Sequence, residues 1–481
     1  MDLHHYLACD LGAESGRVML GTLDRGRLIL EEIYRFPSAI IQKEGDMRWD
    51  TEVIFASLQS GVQLALEKNL TISGISVDSW GVDYVLLDAA GEKLAEPHHY
   101  RDERTDAVFP EVRKKIGDEF IFAETGIQFM HFNTLYQLAA ELELNPEVLG
   151  KTAVFLTIAD YFNYRFSGTS VIEESLASTT QLYNPHQRKW SFDLIARAGL
   201  PEAIFPKIVP SGTLLGKLKS SSIEVIATCS HDTGAAIAAV PTTPGEDWAY
   251  LSSGTWSLLG VELDVPLTTE VVRQHNFTNE AGYGGTTRFL KNIVGLWILQ
   301  ECRRAWAASN MDYTYGWMME QAAAAEPLRS LIHPSDDRFM KPGNMPAKIA
   351  AFCSETSQPI PETPGQFTRC ILESLALLYR QTIGEIELLT NRHLSRIHIV
   401  GGGSQSELLN QFSADATGLT VVAGPVEATA IGNVLVQALA LGHLDSLTAG
   451  RQLVADSFSV ITYQPNQTQA WQQAYAKFTN L

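Results

Sequence analysis

The 481-residue sequence has few cysteines and no long apolar run, and each scarcity excludes a class of protein. Five cysteines without a C-x-x-C pair form neither a disulfide framework nor a local zinc signature. Cys353 and Cys370 are candidates for pairing under oxidation, although we expect free thiols in a cytosolic chain. No apolar run approaches the ~18 residues of a membrane span. The first residues also lack a basic segment followed by an apolar core, so we expect a soluble, cytoplasmic protein without membrane partners.

Basic residues are also scarce relative to acidic ones. The 36 lysines and arginines stand against 55 aspartates and glutamates, which gives a formal net charge of −19. The negative electrostatic field of this charge repels the phosphate backbones of nucleic acids, so nucleic acid is not expected as a partner. The same charge would repel a free nucleotide. A phosphate site would therefore have to be built locally from backbone N–H groups and helix ends.

The sequence contains two similar bends, one in each half. Residues 10–17 form a bend of small residues between two apolar strands, and residues 252–257 form a second such bend. The proline-rich segment 241–245 interrupts both helical and strand periodicities between them. This repetition indicates a weak internal duplication. We therefore expect two like domains, residues 1–241 and 242–481, which would face each other across a ligand cleft.

Either bend by itself is consistent with an ordinary tight hairpin, which is the favoured interpretation of one loop alone. The first bend also contains Gly, Ala and Ser, which can direct several backbone N–H groups at one anion, with the Ser15 hydroxyl and the Arg17 cation beside them. The presence of a second bend favours a functional role. Two such loops could hold one polyphosphate from both sides.

A glycine-rich segment follows an apolar strand late in the chain. The strand 397–400 leads into three glycines, 401–403, and then into a stretch with helical spacing that ends near Gly418. This arrangement allows a nucleotide to approach the backbone closely. A Rossmann dinucleotide site is the alternative, but the glycines are contiguous and Ser406 stands where the third fingerprint glycine belongs.

The most suggestive acidic residue is Asp232, in the segment Ser230-His231-Asp232-Thr233-Gly234. An aspartate at a strand end can accept the proton of an alcohol that attacks a phosphoryl group. Capping of the following helix is an equally good interpretation from these residues alone. The absence of a GxSxG nucleophile elbow counts against a hydrolase.

Taken together, these segments resemble the FGGY carbohydrate kinases, a family within the actin-like and Hsp70-like ATPases. The resemblance covers nearly the whole chain, and the order of several long stretches makes it specific. The matching stretches are DLGAESGRVML, VDSWGVDYVLLD, YRDERT, GIQFMHFNTLYQL, SHDTGAAIAAVP, YLSSGTWSLLGVE, FLKNIVGLWILQE, DDRF and HIVGGGSQSELLNQFSADATGLTVVAGPVEA.

The resemblance implies an α/β fold with two ribonuclease-H-like (actin/Hsp70-like ATPase) domains flanking a deep catalytic cleft. The implied ATP site consists of Ala13, Glu14, Ser15, Gly16, Arg17, Thr255, Gln300 and Gly402. The implied sugar site consists of Gly81, His231, Asp232, Thr233 and Asn292, with Asp232 as the general base. Asp10 is placed to hold Mg²⁺ through water. Glu14 departs from the small residue expected in the first loop.

The implied reaction transfers a phosphoryl group from ATP, with Mg²⁺ as cofactor, to the 1-hydroxyl of L-rhamnulose in L-rhamnose catabolism. The products would be L-rhamnulose 1-phosphate and ADP. Another ketose such as L-fuculose or L-xylulose is an alternative substrate. A catalytically silent sensor that binds ATP and sugar is an alternative from a different class. The chain is expected to act as a monomer or a homodimer.

Overall fold

The computed structural model describes residues 3–43, 46–243 and 245–481, except for the Lys43 side chain. Pro244, part of the predicted interruption between the domains, lies outside the described residues. The chain divides into two compact units. Unit 1 comprises Met1–Pro244, Glu262–Phe289 and Ala428–Ser457, and unit 2 comprises Gly245–Val261, Leu290–Glu427 and Phe458–Leu481.

Strands account for the two large sheets and several short ladders. In chain order, the strands of the described residues are β1 (His4–Leu11), β2 (Ser15–Asp24), β3 (Arg27–Pro37), β4 (Ile40–Lys43), β5 (Asp46–Trp49), β6 (Ile72–Ser79), β7 (Tyr84–Leu87), β8 (Val154–Thr157), β9 (Ile172–Glu173), β10 (Tyr183–Asn184), β11 (Lys189–Trp190), β12 (Ile208–Val209), β13 (Thr213–Lys217), β14 (Glu224–Ala227), β15 (Trp248–Ser253), β16 (Trp256–Leu263), β17 (Thr278–Ala281), β18 (Thr287–Val294), β19 (Arg396–Val400), β20 (Thr420–Ala423) and β21 (Ile461–Tyr463).

Helices lie in half of the connections between consecutive strands. In the described residues they are α1 (Thr51–Leu66), α2 (Val108–Ile116), α3 (Asp118–Thr125), α4 (Thr134–Leu144), α5 (Pro146–Lys151), α6 (Ile158–Ser167), α7 (Glu174–Thr179), α8 (Phe192–Ala198), α9 (Asp232–Ala238), α10 (Glu270–Gln274), α11 (Trp297–Ala308), α12 (Tyr315–Ala324), α13 (Met345–Glu355), α14 (Pro364–Thr390), α15 (Glu407–Thr417), α16 (Ala428–Ala440), α17 (Leu447–Ser457) and α18 (Thr468–Phe478). None of the helices in the described ranges combines the length and the apolar character needed to cross a membrane.

The first large sheet has the strand order β3-β2-β1-β6-β14-β13. The neighbours β1 and β2 are antiparallel, whereas β1, β6 and β14 run parallel to one another. Helices cover both faces, because Val18 of β2 lies against Gly61 of α1 while Gly21 lies against Val434 of α16. Two strand residues an odd number of positions apart point to opposite faces. Burial on both faces explains the apolar run Tyr6-Leu7-Ala8-Cys9 in the middle of β1.

The second large sheet has the order β17-β18-β16-β15-β19-β20-β21. The order β18-β16-β15-β19-β20-β21 in this sheet repeats the order β3-β2-β1-β6-β14-β13 of the first sheet. The strand directions that the ladders define also repeat, since β15 is antiparallel to β16 and parallel to β19, as β1 is to β2 and β6. The α/β fold with two sheet-containing domains expected from the sequence is therefore confirmed, including its internal duplication.

Unit 1 also contains two stretches from the second half of the sequence, so it extends beyond the first 241 residues. The helix α16 packs against β1 and β6. Its Gln437 Nε2 donates to the Leu7 carbonyl at 2.9 Å, and its Asn433 Nδ2 donates to Asp78 Oδ2 at 2.6 Å. These buried hydrogen bonds join α16 to the first sheet and satisfy polar groups that the packing buries.

Candidate functional site

The first bend joins β1 to β2 and is closed by an ion pair. Asp10 and Arg17 are cross-strand partners, and Arg17 donates to Asp10 Oδ2 through Nε at 3.0 Å and Nη2 at 2.7 Å. Within the bend, Gly12 N donates to the Ser15 carbonyl at 3.0 Å, and Glu14 is exposed. The bend is therefore a tight hairpin, and its Arg17 pairs with the Asp10 carboxylate.

A second carboxyl, Asp78, lies directly beside Asp10 in the sheet. The two residues are partners in the parallel ladder of β1 and β6, and Asp78 is completely buried. Burial and the neighbouring Asp10 charge raise the pKa of Asp78. Asp232 adds to this effect, so three carboxyls influence one another at the end of the first sheet.

Asp232 is the first residue of α9, which follows β14 after the four-residue segment 228–231. Its Oδ1 accepts hydrogen bonds from the Thr233 amide and, at 3.1 Å, from Thr233 Oγ1. The residue at the cap position is His231, whose side chain makes no capping hydrogen bond. Burial raises the pKa of Asp232, and the His231 charge opposes that rise. The carboxyl is still about a third exposed, at 32% of its side-chain area.

The backbone before Asp232 is held by buried polar side chains. Glu173 Oε2 accepts from the Ser230 amide at 3.0 Å, and Ser175 Oγ accepts from the His231 amide at 3.0 Å. On its other side, the His231 ring lies 3.1 Å from Arg288 Nη2 and 3.2 Å from Glu280 Oε2. The position of Asp232 is therefore fixed by its neighbours along the chain and by residues far from it in sequence.

Gly81 lies in a strained turn after β6. Asp83 N donates to the Gly81 carbonyl at 2.9 Å, which closes a three-residue γ-turn around Val82. Val82 has φ of 68°, a value that costs a β-branched residue about 1–3 kcal/mol. The turn lies beside the Asp232 segment, since Ser79 N donates to the Ser230 carbonyl at 2.9 Å.

Asp83 is a functional candidate that the sequence analysis missed. Its carboxyl is buried and accepts from Trp49 Nε1 at 2.7 Å, Trp80 Nε1 at 2.9 Å, Gln137 Nε2 at 2.9 Å and Tyr100 N at 3.2 Å. Burial raises the pKa of Asp83 to about 6, although these four donors favour the ionised form. An aspartate inside an apolar stretch, three residues from a tryptophan, was the one local signal available.

In unit 2, the second bend holds Thr255 between β15 and β16. The Thr255 carbonyl accepts from Gly295 N at 3.1 Å and Trp297 N at 3.2 Å, so the start of α11 packs onto the bend. Gln300 lies in the first turn of α11, and its Oε1 is buried without a hydrogen-bond partner. Thr255 and Gln300 therefore lie on elements that contact each other. Asn292 lies in β18.

The three glycines after β19 have three different environments. Gly401 has φ of 82°, which favours glycine. A Cβ at Gly403 would lie 2.0 Å from Ser253 Oγ, so a side chain there would displace the end of β15. A Cβ at Gly402 would meet no atom within 4 Å. The helix expected after them is confirmed as α15, which ends at Thr417 with Gly418 as its C-cap.

The predicted site residues thus form two groups. In unit 1 they follow the carboxyl ends of β1, β6 and β14, and in unit 2 they lie at the ends of β15, β18 and β19 and on α11. Strand ends of parallel sheets are the usual ligand sites of such folds.

The two sulfhydryls singled out from the sequence lie elsewhere in unit 2. Cys353 and Cys370 are buried free cysteines whose thiols hydrogen-bond to each other, and their pairing under oxidation stays a prediction.

Two sets of side chains are relevant to a divalent cation. Carboxylates suit Mg²⁺, and Asp10, Asp78 and Asp232 supply three of them. Arg17 already occupies one Asp10 oxygen, so this set fits a cation that is held through water. Among the described residues, Asp46, His98 and Asp102 form a tighter group. Arginines lie beside both of its carboxylates, which makes that group unfavourable for a cation.

Comparison with known proteins identifies similar chains over the full length. Residues 5–237 match the N-terminal domain of the FGGY family of carbohydrate kinases, and residues 249–441 match its C-terminal domain. The "Rhamnulokinase" of Bacteroides thetaiotaomicron is 42% identical over 484 residues, covering 99% of both chains. The "Rhamnulokinase" of Oceanobacillus iheyensis is 41% identical, covering 95% of this chain and 97% of that one.

Solved structures with low sequence identity share the fold. A gluconate kinase from Lactobacillus acidophilus superposes with a TM-score of 0.82 at 16% identity, covering 100% of this chain and 97% of that one. A xylulose kinase from the same organism superposes with a TM-score of 0.81 at 16% identity, covering 99% and 97%. These structures support the two-domain architecture.

Proposed function

The chain belongs to the FGGY family of carbohydrate kinases, and on that premise we propose that it phosphorylates L-rhamnulose at the 1-hydroxyl with ATP. The products are L-rhamnulose 1-phosphate and ADP. The observation that carries this proposal is the identity of about 42% to curated rhamnulokinases over nearly the whole chain. The chain is thus an enzyme, and its proposed substrate is the one those relatives' name indicates.

Asp232 is the proposed general base. It follows a strand end, is about a third exposed, and carries a pKa that burial raises towards the range where a carboxylate accepts protons efficiently. Phosphoryl transfer needs little covalent chemistry from the protein. The role of Asp232 is therefore to accept the hydroxyl proton while the hydroxyl oxygen attacks the γ-phosphorus. Gly81, His231, Thr233 and Asn292 are the proposed sugar contacts.

The nucleotide is proposed to bind through uncharged backbone and hydroxyl groups together with one cation. Residues 13–17 of the first bend supply N–H groups, the Ser15 hydroxyl and Arg17, and the second bend supplies Thr255. Gln300 and Gly402 complete the proposed set. The buried, unpartnered Gln300 Oε1 and the open space beside Gly402 support this assignment.

Mg²⁺ is the proposed cofactor, with Asp10 holding it through water. When bound, the cation would neutralise charge on the transferring phosphoryl group. Arg17 keeps the Asp10 carboxylate neutralised beside the buried Asp78. The proposed setting is the cytoplasm, where ATP is supplied.

A panel of sugars tests the proposal directly. ADP release is measured with Mg·ATP and L-rhamnulose, L-fuculose, L-xylulose and glycerol in parallel. The proposal predicts the highest kcat/KM for L-rhamnulose. A higher value for another sugar keeps the kinase and replaces the substrate. Binding of ATP and sugar without ADP release would instead support the sensor.

A further inference from the structure

The γ-turn around Val82 is a strained segment whose conformation is imposed by its surroundings. The positive φ of Val82 is unfavourable for a β-branched residue, so the isolated segment would leave this conformation. Strained residues persist only where neighbouring structure over-determines them, and they cluster at ligand-binding sites. Gly81, the predicted sugar contact, is the residue directly before Val82.

Polar side chains hold this turn from several directions. The Val82 carbonyl accepts from Thr134 Oγ1 at 2.6 Å, and the Val82 amide donates to Thr179 Oγ1 at 3.2 Å. Gln137 Nε2 lies between the Val82 carbonyl and Asp83 Oδ1, at 3.3 Å and 2.9 Å. Asp83 is therefore both the end of the turn and the acceptor for one of the side chains that hold it.

Asp83 also fixes the residue before Gly81. Its Oδ2 accepts the indole N–H of Trp80 and that of Trp49, whose rings have centroids 4.2 Å apart. Four N–H donors converge on this carboxyl, and a carboxylate is the side chain of this size that offers only acceptors. Asparagine would direct an NH₂ group at one or more of these donors in either orientation.

We propose that Asp83 is a positioning residue for sugar binding, which holds Trp80 and the strained Val82 turn so that Gly81 faces the sugar. This inference rests on the proposed function, because Gly81 is assigned to the sugar through the family resemblance. Asp83 acts through its neighbours and is buried, so it does not need to touch the substrate.

Asp83→Asn tests this role by comparing its effect on KM for the sugar with its effect on KM for ATP. We expect KM for L-rhamnulose to rise about 10- to 30-fold, kcat to fall less than about 5-fold, and KM for ATP to change less than about 2-fold. Binding of the sugar without ATP, followed by tryptophan fluorescence, should weaken in parallel because the ligand site itself is altered. An unchanged sugar KM in the folded variant overturns the proposal. Equal rises in both constants indicate general damage and also overturn it.

Val82→Gly provides a second test, because a purely structural role of Asp83 predicts additive effects of the two substitutions on the sugar KM. Glycine adopts positive φ without penalty, so this substitution removes the strain that Asp83 opposes. We expect Val82→Gly alone to raise the sugar KM less than about 3-fold. In the Asp83→Asn background it should recover about 3-fold or more of the loss, a non-additive result. Additive losses contradict the proposal.

Trp49→Phe covers the case in which Asp83→Asn does not fold. It removes one indole donor to Asp83 and keeps an aromatic ring. We expect an increase of about 3-fold in the sugar KM and none in the ATP KM, and an unchanged sugar KM overturns the inference. If the wild type prefers another ketose, the same variants are compared on that sugar, which separates this inference from the substrate assignment. A wild type inactive on every sugar contradicts both.

Discussion

The two bends of the molecule have the same topology, but the first carries an ion pair and the second carries uncharged polar residues. Each connects an inner strand to its antiparallel neighbour, and each inner strand has a parallel partner on its other side. The first bend is closed by the Asp10–Arg17 ion pair. The charges of Asp10 and Asp232 lie close enough to Asp78 to raise its pKa. The second bend carries serine, glycine and threonine, and Ser257 Oγ bonds to Tyr379 OH at 2.7 Å.

This difference shows how a duplicated fold can divide one reaction. Strand order and register are set by apolar burial, which both sheets share. The residues at the strand ends are free to differ, since they lie beyond the packed core. In the proposed function, Asp232 and Arg17 of unit 1 serve proton transfer and charge neutralisation, while Thr255, Gln300 and Gly402 of unit 2 contribute uncharged contacts to the nucleotide.

The largest effect is expected for the proposed base. Asp232→Asn should lower kcat about 10²- to 10⁴-fold while ATP binding and thermal stability are retained, because a positioned base contributes about this much. Glu427 is the matched control, since it follows β20 as Asp232 follows β14 in the repeated strand order. Glu427→Gln should lower kcat less than about 10-fold. Equal losses in the two variants would contradict the division between the units.

The next effect compares one residue from each bend. Arg17→Gln should lower kcat/KM for Mg·ATP about 10- to 100-fold, because it removes charge-assisted bonds and leaves the Asp10 carboxylate uncompensated. Thr255→Val should lower it about 2- to 10-fold, as expected for one neutral hydrogen bond. Raising the ionic strength should reduce the Arg17 effect and leave the Thr255 effect unchanged. The same salt dependence for both would refute the contrast.

A smaller effect separates adjacent glycines in unit 2. Gly403→Ala should lower the free energy of unfolding by about 1–3 kcal/mol, because its Cβ would overlap Ser253. Gly402→Ala should leave stability within about 0.5 kcal/mol of the wild type and raise KM for ATP, since its Cβ would enter open space in the proposed nucleotide site. Urea unfolding and steady-state kinetics measure the two properties. A nucleotide effect confined to Gly403→Ala would contradict this assignment.

A further stability effect concerns the pH dependence of the free energy of unfolding through Asp83. Its folded pKa of about 6 exceeds the ordinary value of ~3.9 for an unfolded aspartate. Between these values the folded state binds more protons, so the Asp83 contribution to stability falls as pH rises. Relative to Asp83→Asn, the wild type should lose about 1–3 kcal/mol of unfolding free energy between pH 4.5 and 7. Asp264→Asn, at an exposed carboxyl, is the control and should show no such difference.

Local sequence features predicted much of the fold. The two bends and the helix after the three glycines are present where the small residues and the apolar spacing indicated. The packing of α16 onto the first sheet was not predictable in this way. It depends on contacts of Gln437 with Leu7 and of Val434 with Gly21, which are more than 400 residues apart in the sequence. The hydrophobic periodicity of a single segment does not predict such contacts.

The site residues show the same limit. Arg17 was predicted from the first bend, and Asp232 from its place after an apolar strand, and both assignments stay predictions. Asp83 was missed because its function depends on Trp49 and Gln137, which lie 34 and 54 residues away.

The most direct test of the account is the identity of the product. Wild-type protein is incubated with Mg·ATP and L-rhamnulose, and phosphorus NMR follows the phosphate resonances with Asp232→Asn as a parallel sample. The account predicts one new phosphomonoester, coupled to the C1 protons, that accumulates in step with ADP and is nearly absent from the variant. A phosphate on another carbon, the absence of a new resonance in the wild type, or equal rates in both samples would contradict it.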